Sequence, residues 1–151
     1  MTNPADRLAE YDGDFYAWTL QTAQYLRSGQ LDQVNLIQVA EEIEDMGKSD
    51  RRALESHLKI LMLHLLKWRH QPSHRGISWR LSIANARDEI ATILRDSPSL
   101  RPRLEELAAN RYPGARKQAV LETGLAPSTF PETCPFSIEQ LLEEDELPGP
   151  N

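Results

Sequence analysis

Residues 49–70 read SDRRALESHLKILMLHLLKWRH, and this stretch decides the fold. On an ideal helix, turning about 100° per residue, Leu54, Leu58, Leu61, Leu65 and Trp68 share one arc. Ala53 and Ile60 widen the arc on one side, Met62 and Leu66 on the other. Between Ile60 and Leu66 only His64 is polar. A helix that is apolar over more than half its circumference must be covered by several neighbours, so the stretch predicts the central helix of a bundle. Ser49 reads as its N-cap, with Asp50 in the first turn opposing the helix dipole. Pro72 closes it, because proline cannot continue a helix and disfavours helical geometry at Gln71.

Towards the N-terminus, Asp14 is placed to cap a helix that runs to about Ser28 and stops at Gly29. Phe15, Trp18, Thr22, Tyr25 and Leu26 recur at helical spacing and read as aromatic anchors in a core. A second helix is expected from about 31–35, with Asp32 as its cap and Leu36, Val39, Ala40, Ile43 and Met46 as its buried stripe. Gly47 should end or hinge it, giving an antiparallel pair joined at Gly47, Lys48 and Ser49.

Beyond the turn-rich residues 71–76, Ser78 opens a helix carrying Trp79, Ile83, Ala86, Ile90 and Ile93, which stops at Asp96-Ser97-Pro98. Ser99 is expected to cap the next helix, with Pro102 in its first turn and Leu104, Leu107 and Ala108 facing inward. Pro113-Gly114 should kink or split that helix, since an interior proline costs about 3 kcal/mol. Helical spacing resumes at Ala115, Ala119 and Glu122 and stops at Gly124. Pro127, Pro131 and Pro135 make 125–136 an extended segment, with Phe130, Cys134 and Phe136 as its apolar contacts. Ser137 and Gln140 form a capping box that opens a short last helix. The expected architecture is all-α: a bundle of five to six helices around a central helix at about 49–70, with an extended Pro-rich C-terminal segment. It reads as one domain over 1–151, ordered at about 14–142, with a polar N-terminal arm and a frayed tail.

Composition limits the function. A chain of 151 residues with 40% hydrophobic content can build one proper core. A net charge of -6 and a pI near 5.2 argue against nucleic acid as a broad, non-specific partner and against anionic membranes. The charge is polarised along the chain. Acids gather at 41–45 and 143–146, whereas Lys67, Arg69, Arg75, Arg80 and Arg87 occupy the middle. The single cysteine, Cys134, permits no intramolecular disulfide, which fits a reducing compartment and points to the cytoplasm. No run approaches the roughly 18 apolar residues of a membrane span.

Candidate chemistry comes in two sets. Glu42 and Glu44 flank the Ile43 stripe, His64 falls within the apolar arc of the central helix, Lys67 borders it, and Arg80 and Arg87 flank Ile83. Such groups cannot be buried unpaired, so they read first as an interhelical polar network. The sharper reading is a site with Glu42 or Glu44 as base or metal ligand, His64 as ligand or acid and Arg87 as anion clamp. A metal is not favoured. His57 and His64 are seven residues apart, on the order of 10 Å along a helix, Pro72 interrupts the His70–His74 pair, and only Glu44 with His64 remains as a weak ligand pair. The second set is Arg52-Ala-Leu-Glu-Ser-His57. It resembles the arginine–histidine motif of helical ribonucleases of the prokaryote and higher-eukaryote nucleotide-binding class, with Arg51 also at suitable spacing. Arg52 and His57 lie about 140° apart on an ideal helix, which favours a solvated arginine and a packed histidine. Cys134 has no glycine-rich turn beside it to activate a nucleophile.

Six stretches together resemble an uncharacterised bacterial family, the all-helical domain of unknown function numbered twenty-nine. They are DFYAW at 14–18, AEEIEDMG at 40–47, LHLLKW at 63–68, SWR at 78–80, DSPSLR at 96–101 and FPETCPF at 130–136. Pro113-Gly114 departs from the uninterrupted helix expected there. The resemblance implies an all-helical fold in a bacterial cytoplasm and supplies no activity or functional residue. The sequence therefore reads as a non-enzymatic protein-interaction or regulatory module with a protein partner, no cofactor and no membrane, and it leaves a homo-oligomer open. The rival reading is a small helical enzyme, either a ribonuclease using Arg52 and His57 or a metal-dependent hydrolase using Glu44 and His64.

Overall fold

Asp14 opens the first helix, α1 (Phe15–Arg27), by accepting the Ala17 N–H at 3.0 Å. Gly29 stops it in the left-handed region at φ 75°, and the Gln30 N–H returns to the Tyr25 carbonyl at 2.9 Å. The computed structural model describes residues 11–143 and Leu147, and 11–13 are helical as well. Four further α-helices follow: α2 (Leu36–His70), α3 (Ile77–Asp96), α4 (Leu104–Thr123) and α5 (Ile138–Leu142). Short 3-10 turns at Leu31–Gln33, Pro72–His74, Pro98–Arg103 and Pro127–Thr129 link them. No strand occurs among the described residues, and the chain is an all-α bundle.

The central helix is longer than its sequence signals suggest. Asp32 lies in the 3-10 turn, and Asn35 is the residue that caps α2, accepting the Gln38 N–H at 3.1 Å. From Leu36 the helix runs unbroken for 35 residues through Gly47, Lys48 and Ser49, so the expected antiparallel pair hinged at Gly47 does not form. Gly47 does not adopt positive φ. An interior glycine costs only about 1 kcal/mol, which a helix of this length absorbs without breaking.

By compactness the chain divides into two units, 1–47 and 48–151. In the first, Trp18 and Val34 are the buried hydrophobic residues among those described, and Gln38 is buried beside them in sequence. Tyr11, Phe15 and Trp18 form a ring cluster, with Tyr11 edge-on to both of the others. The Tyr11 hydroxyl donates to the Glu42 carboxylate. The expected buried stripe is overturned: Leu36, Ala40, Ile43 and Met46 are exposed and Val39 is half-buried. The covered row is instead Val34, Gln38 and Glu42, spaced four apart. Of the aromatic series on α1, Trp18 is buried while Phe15 is about half exposed.

In the second unit the core is the one the central stretch demands. Leu54, Leu58, Leu61, Met62, Leu65, Leu66 and Trp68 are buried against Ile83, Ala86, Ile90 and Leu94 of α3 and against Leu104, Leu107, Tyr112, Ala115 and Ala119 of α4. Helix α4 passes through Pro113 without splitting. The carbonyl that loses its partner there belongs to Ala109, which is exposed and so open to water. At Gly114 a Cβ would stand 3.4 Å from Lys59 Cε, so the absent side chain leaves room for the lysine. Gly124 ends α4 at φ 71°. Residues 125–136 form the expected strap, with Phe130 and Phe136 buried. Arg116 fastens it by donating to the carbonyls of Phe130 (3.2 Å) and Pro127 (2.7 Å), and Tyr112 donates to that of Pro131. The Ser137–Gln140 capping box is present in both directions. Two smaller expectations shift by a residue or more: α3 opens at Ile77 after Gly76, and Ser99 lies in a 3-10 turn that precedes α4. No helix among the described residues is long and apolar enough to cross a membrane.

Candidate functional site

Between Glu55 and Asp88 the sequence contains no acidic residue, and it carries Lys59, Lys67, Arg69, Arg75, Arg80, Arg87 and all four histidines. The fold gathers much of this charge where α2 ends and α3 begins. The short turn at Pro72–His74 reverses the chain, and Arg75 reaches back to donate its Nε to the Trp68 carbonyl at 2.7 Å. Its guanidinium carbon lies 5.1 Å from the Trp68 ring centroid, and that of Arg80 lies 5.3 Å from the same ring. Lys67 Nζ stands 4.9 Å over the Trp79 ring and pairs with Glu122 at 3.2 Å. His74 stacks on Trp79 with 21° between the planes, and Arg69 lies over Phe136. Such contacts hold a cation by the ring's electron-rich face. Next to this cluster, His70 turns edge-on to Phe130 with its Nε2 buried and unbonded. Burial, and then the Arg69 charge, lower its pKa from the ordinary histidine value.

The residues singled out from sequence separate. Lys67 lies over the Trp79 ring and Arg80 over the Trp68 ring. His64 instead donates its Nδ1–H to the Ile60 carbonyl at 2.8 Å, within its own helix. Arg87 is buried, donating to the carbonyls of Leu141 (3.2 Å) and Gln140 (2.5 Å). It therefore serves the last turn of α5, whose carbonyls have no helical partner. Glu42 takes the Tyr11 hydroxyl, and that hydrogen bond is the main cause that pushes the Tyr11 pKa up to about 12. Glu44 is exposed.

For the metal reading, Glu44 and His64 are several turns apart on α2, and no group of three or more His, Cys, Asp or Glu among the described residues is placed to hold an ion. For the ribonuclease reading, Arg52 is exposed and His57 half-buried, while Glu55 between them pairs with Arg111 at 3.1 Å. Cys134 lines a cavity of about 460 Å³ with Thr133, Phe136 and Glu105. Burial raises its thiol pKa, the reverse of what a nucleophile needs.

The first unit offers a different surface. Its described residues, 11–47, hold seven acids (Asp12, Asp14, Asp32, Glu41, Glu42, Glu44, Asp45) against one base, Arg27. Among these charges Tyr16, Leu20, Leu36, Ile37, Ile43 and Met46 are each more than half exposed. The periodicity of the stripe is real, but sequence alone does not show whether a neighbour covers it.

A family model described as Domain of unknown function DUF29 matches residues 10–147. No curated protein and no solved structure matches the chain.

Proposed function

The chain belongs to the family described as domain of unknown function DUF29, and from the geometry of its own residues we propose that it is a protein-interaction module. It docks its partner through the acidic, apolar face of its first unit. The observation that carries this reading is the exposure of Leu36, Ile37, Ile43 and Met46 on a helix whose neighbouring positions are Glu41, Glu44 and Asp45. Large hydrophobic side chains gathered on one surface mark an interaction site more often than they mark idle surface. The chemistry selects the partner: a basic amphipathic helix, with apolar anchors to cover the stripe and lysine or arginine on its flanks to meet the acids. The setting is a bacterial cytoplasm, in keeping with a single free thiol.

The test is affinity capture from the native bacterium with wild type and with a double variant, Ile43→Asp and Met46→Asp. Both positions are exposed, so the variant keeps its fold. A stoichiometric partner that is lost from the variant and released by moderate salt supports the reading. Identical capture by both proteins, or no stoichiometric partner, overturns it.

A further inference from the structure

The second unit carries a feature that a docking role for the first does not use. Arg75 and Arg80 place two guanidinium groups within 5.3 Å of one indole ring, and neither has a carboxylate partner among the described residues. Arg75 is fixed in place through its Nε bond to the Trp68 carbonyl, yet its Nη2 is buried without any acceptor. Two guanidinium charges beside one indole, neither paired with a carboxylate among the described residues, make a surface suited to an oxyanion. The preference of arginine for oxyanions is geometric, because its planar fork presents parallel donors to phosphate oxygens. Their neighbours in sequence, exposed His74 and half-buried Trp79, form a near-parallel aromatic pair with centroids 6.5 Å apart, and Lys67, paired with Glu122, lies over the Trp79 ring. Arginines close in sequence to exposed His74 and half-buried Trp79 fit a ligand that is anionic at one end and flat at the other.

We propose that this face binds a nucleoside phosphate, with the phosphate bridging the Arg75 and Arg80 guanidiniums and the base stacked on the Trp79–His74 pair. The whole-chain charge of -6 conceals this basic stretch, where Glu122 is already paired with Lys67. The same chemistry is offered by a free nucleotide and by the phosphorylated end of an RNA strand. An acidic peptide would meet the cations but leave the aromatic pair without a partner.

Titration of the full chain distinguishes these cases, read by quenching of tryptophan fluorescence and by calorimetry. The probes are adenosine monophosphate, a short 5′-phosphorylated oligoadenylate RNA, inorganic phosphate and an oligoglutamate peptide. Saturable binding of the mononucleotide and the RNA, about tenfold weaker in Arg80→Gln and also weakened in Trp79→Leu, is the expected result. Tighter binding of the mononucleotide identifies the free nucleotide, and tighter binding of the RNA identifies the strand end. Arg80 is exposed, so its substitution reports on binding even where Arg75→Gln disturbs the fold. The proposal is overturned if neither nucleotide probe binds, if oligoglutamate or inorganic phosphate binds as tightly as the mononucleotide, or if Arg80→Gln binds like wild type. The Ile43→Asp, Met46→Asp variant should bind these probes unchanged, which separates failure of this site from failure of the docking face.

Discussion

His70 closes α2 with a buried, unbonded Nε2, and its lowered pKa ties stability to pH in a definite direction. The unfolded chain takes up a proton at this imidazole near the ordinary value of 6.5, while the folded chain resists it. Above that pH both states are neutral and the residue contributes nothing. As pH falls below it, the unfolded state binds the extra proton and stability is lost down to the folded pKa. Substitution His70→Gln should therefore shrink the drop in melting temperature between about pH 7.5 and about pH 5.5, a window that crosses the ordinary histidine value from above. Scanning calorimetry at both pH values decides it, and an equal drop in the variant would assign the acid sensitivity to other groups. The thiol of Cys134 is half-buried, 3.7 Å from both Met62 Sδ and the Phe136 carbonyl, and burial raises its pKa. It should react with a disulfide reagent at neutral pH far more slowly than after denaturation, which a single spectrophotometric time course will show. At this scale the sequence was legible at several caps, though not at Asp32, Ser49 or Ser99. Asp14, Gly29, Gly124 and the Ser137–Gln140 pair all cap as read. Arg87 was visible as a cation bordering the core, but it donates to the carbonyls of Gln140 and Leu141, which no side-chain pattern announces.

Among elements, α2 shows how a correct periodicity can be read with the wrong boundaries. Leu36 and Ile43 fall within about 20° of Leu54 around an ideal helix, so one sequence periodicity runs on past Gly47. Gly47 and Ser49 resemble a stop and a start, yet both are tolerated inside a long helix whose later turns are held by the core. Gly47→Ala should accordingly stabilise the protein by about 0.5–1 kcal/mol, because a Cβ there meets nothing within 4 Å and the backbone is helical. Urea denaturation will measure it, and a destabilised variant would mean that the glycine is needed for a bend. Gly124→Ala should act in the opposite direction by a similar amount, since φ 71° strains any residue with a Cβ. Pro113 teaches the complementary lesson. Its cost was anticipated, but the exposed position of the freed carbonyl lets the helix continue.

Across the whole molecule, hydrophobic burial is distributed unevenly. Every member of the buried core cluster lies between Leu54 and Leu141, and none comes from residues 11–47, where Trp18 and Val34 are the buried hydrophobics. Charge is divided as well. The seven acids and one base of 11–47 give -6, equal to the formal charge of the entire chain. Composition averaged over 151 residues reveals neither division, whereas the order of the residues already shows the basic middle stretch. A fragment starting at Lys48 retains the whole of that core cluster and all the contacts that hold the 125–136 strap, and so should unfold cooperatively on its own. Its melting temperature should lie within about 10 °C of the full chain, a shift of roughly 1–2 kcal/mol for a domain of this size. The complementary fragment, residues 1–47, buries too little apolar surface to offset its conformational entropy and should show little fixed structure by circular dichroism. If instead the larger fragment melts without cooperativity, the first unit contributes to folding and its exposed face cannot be given wholly to a partner. If it folds, the nucleoside-phosphate titration can be repeated on it, and retained binding would place that site in the second unit alone.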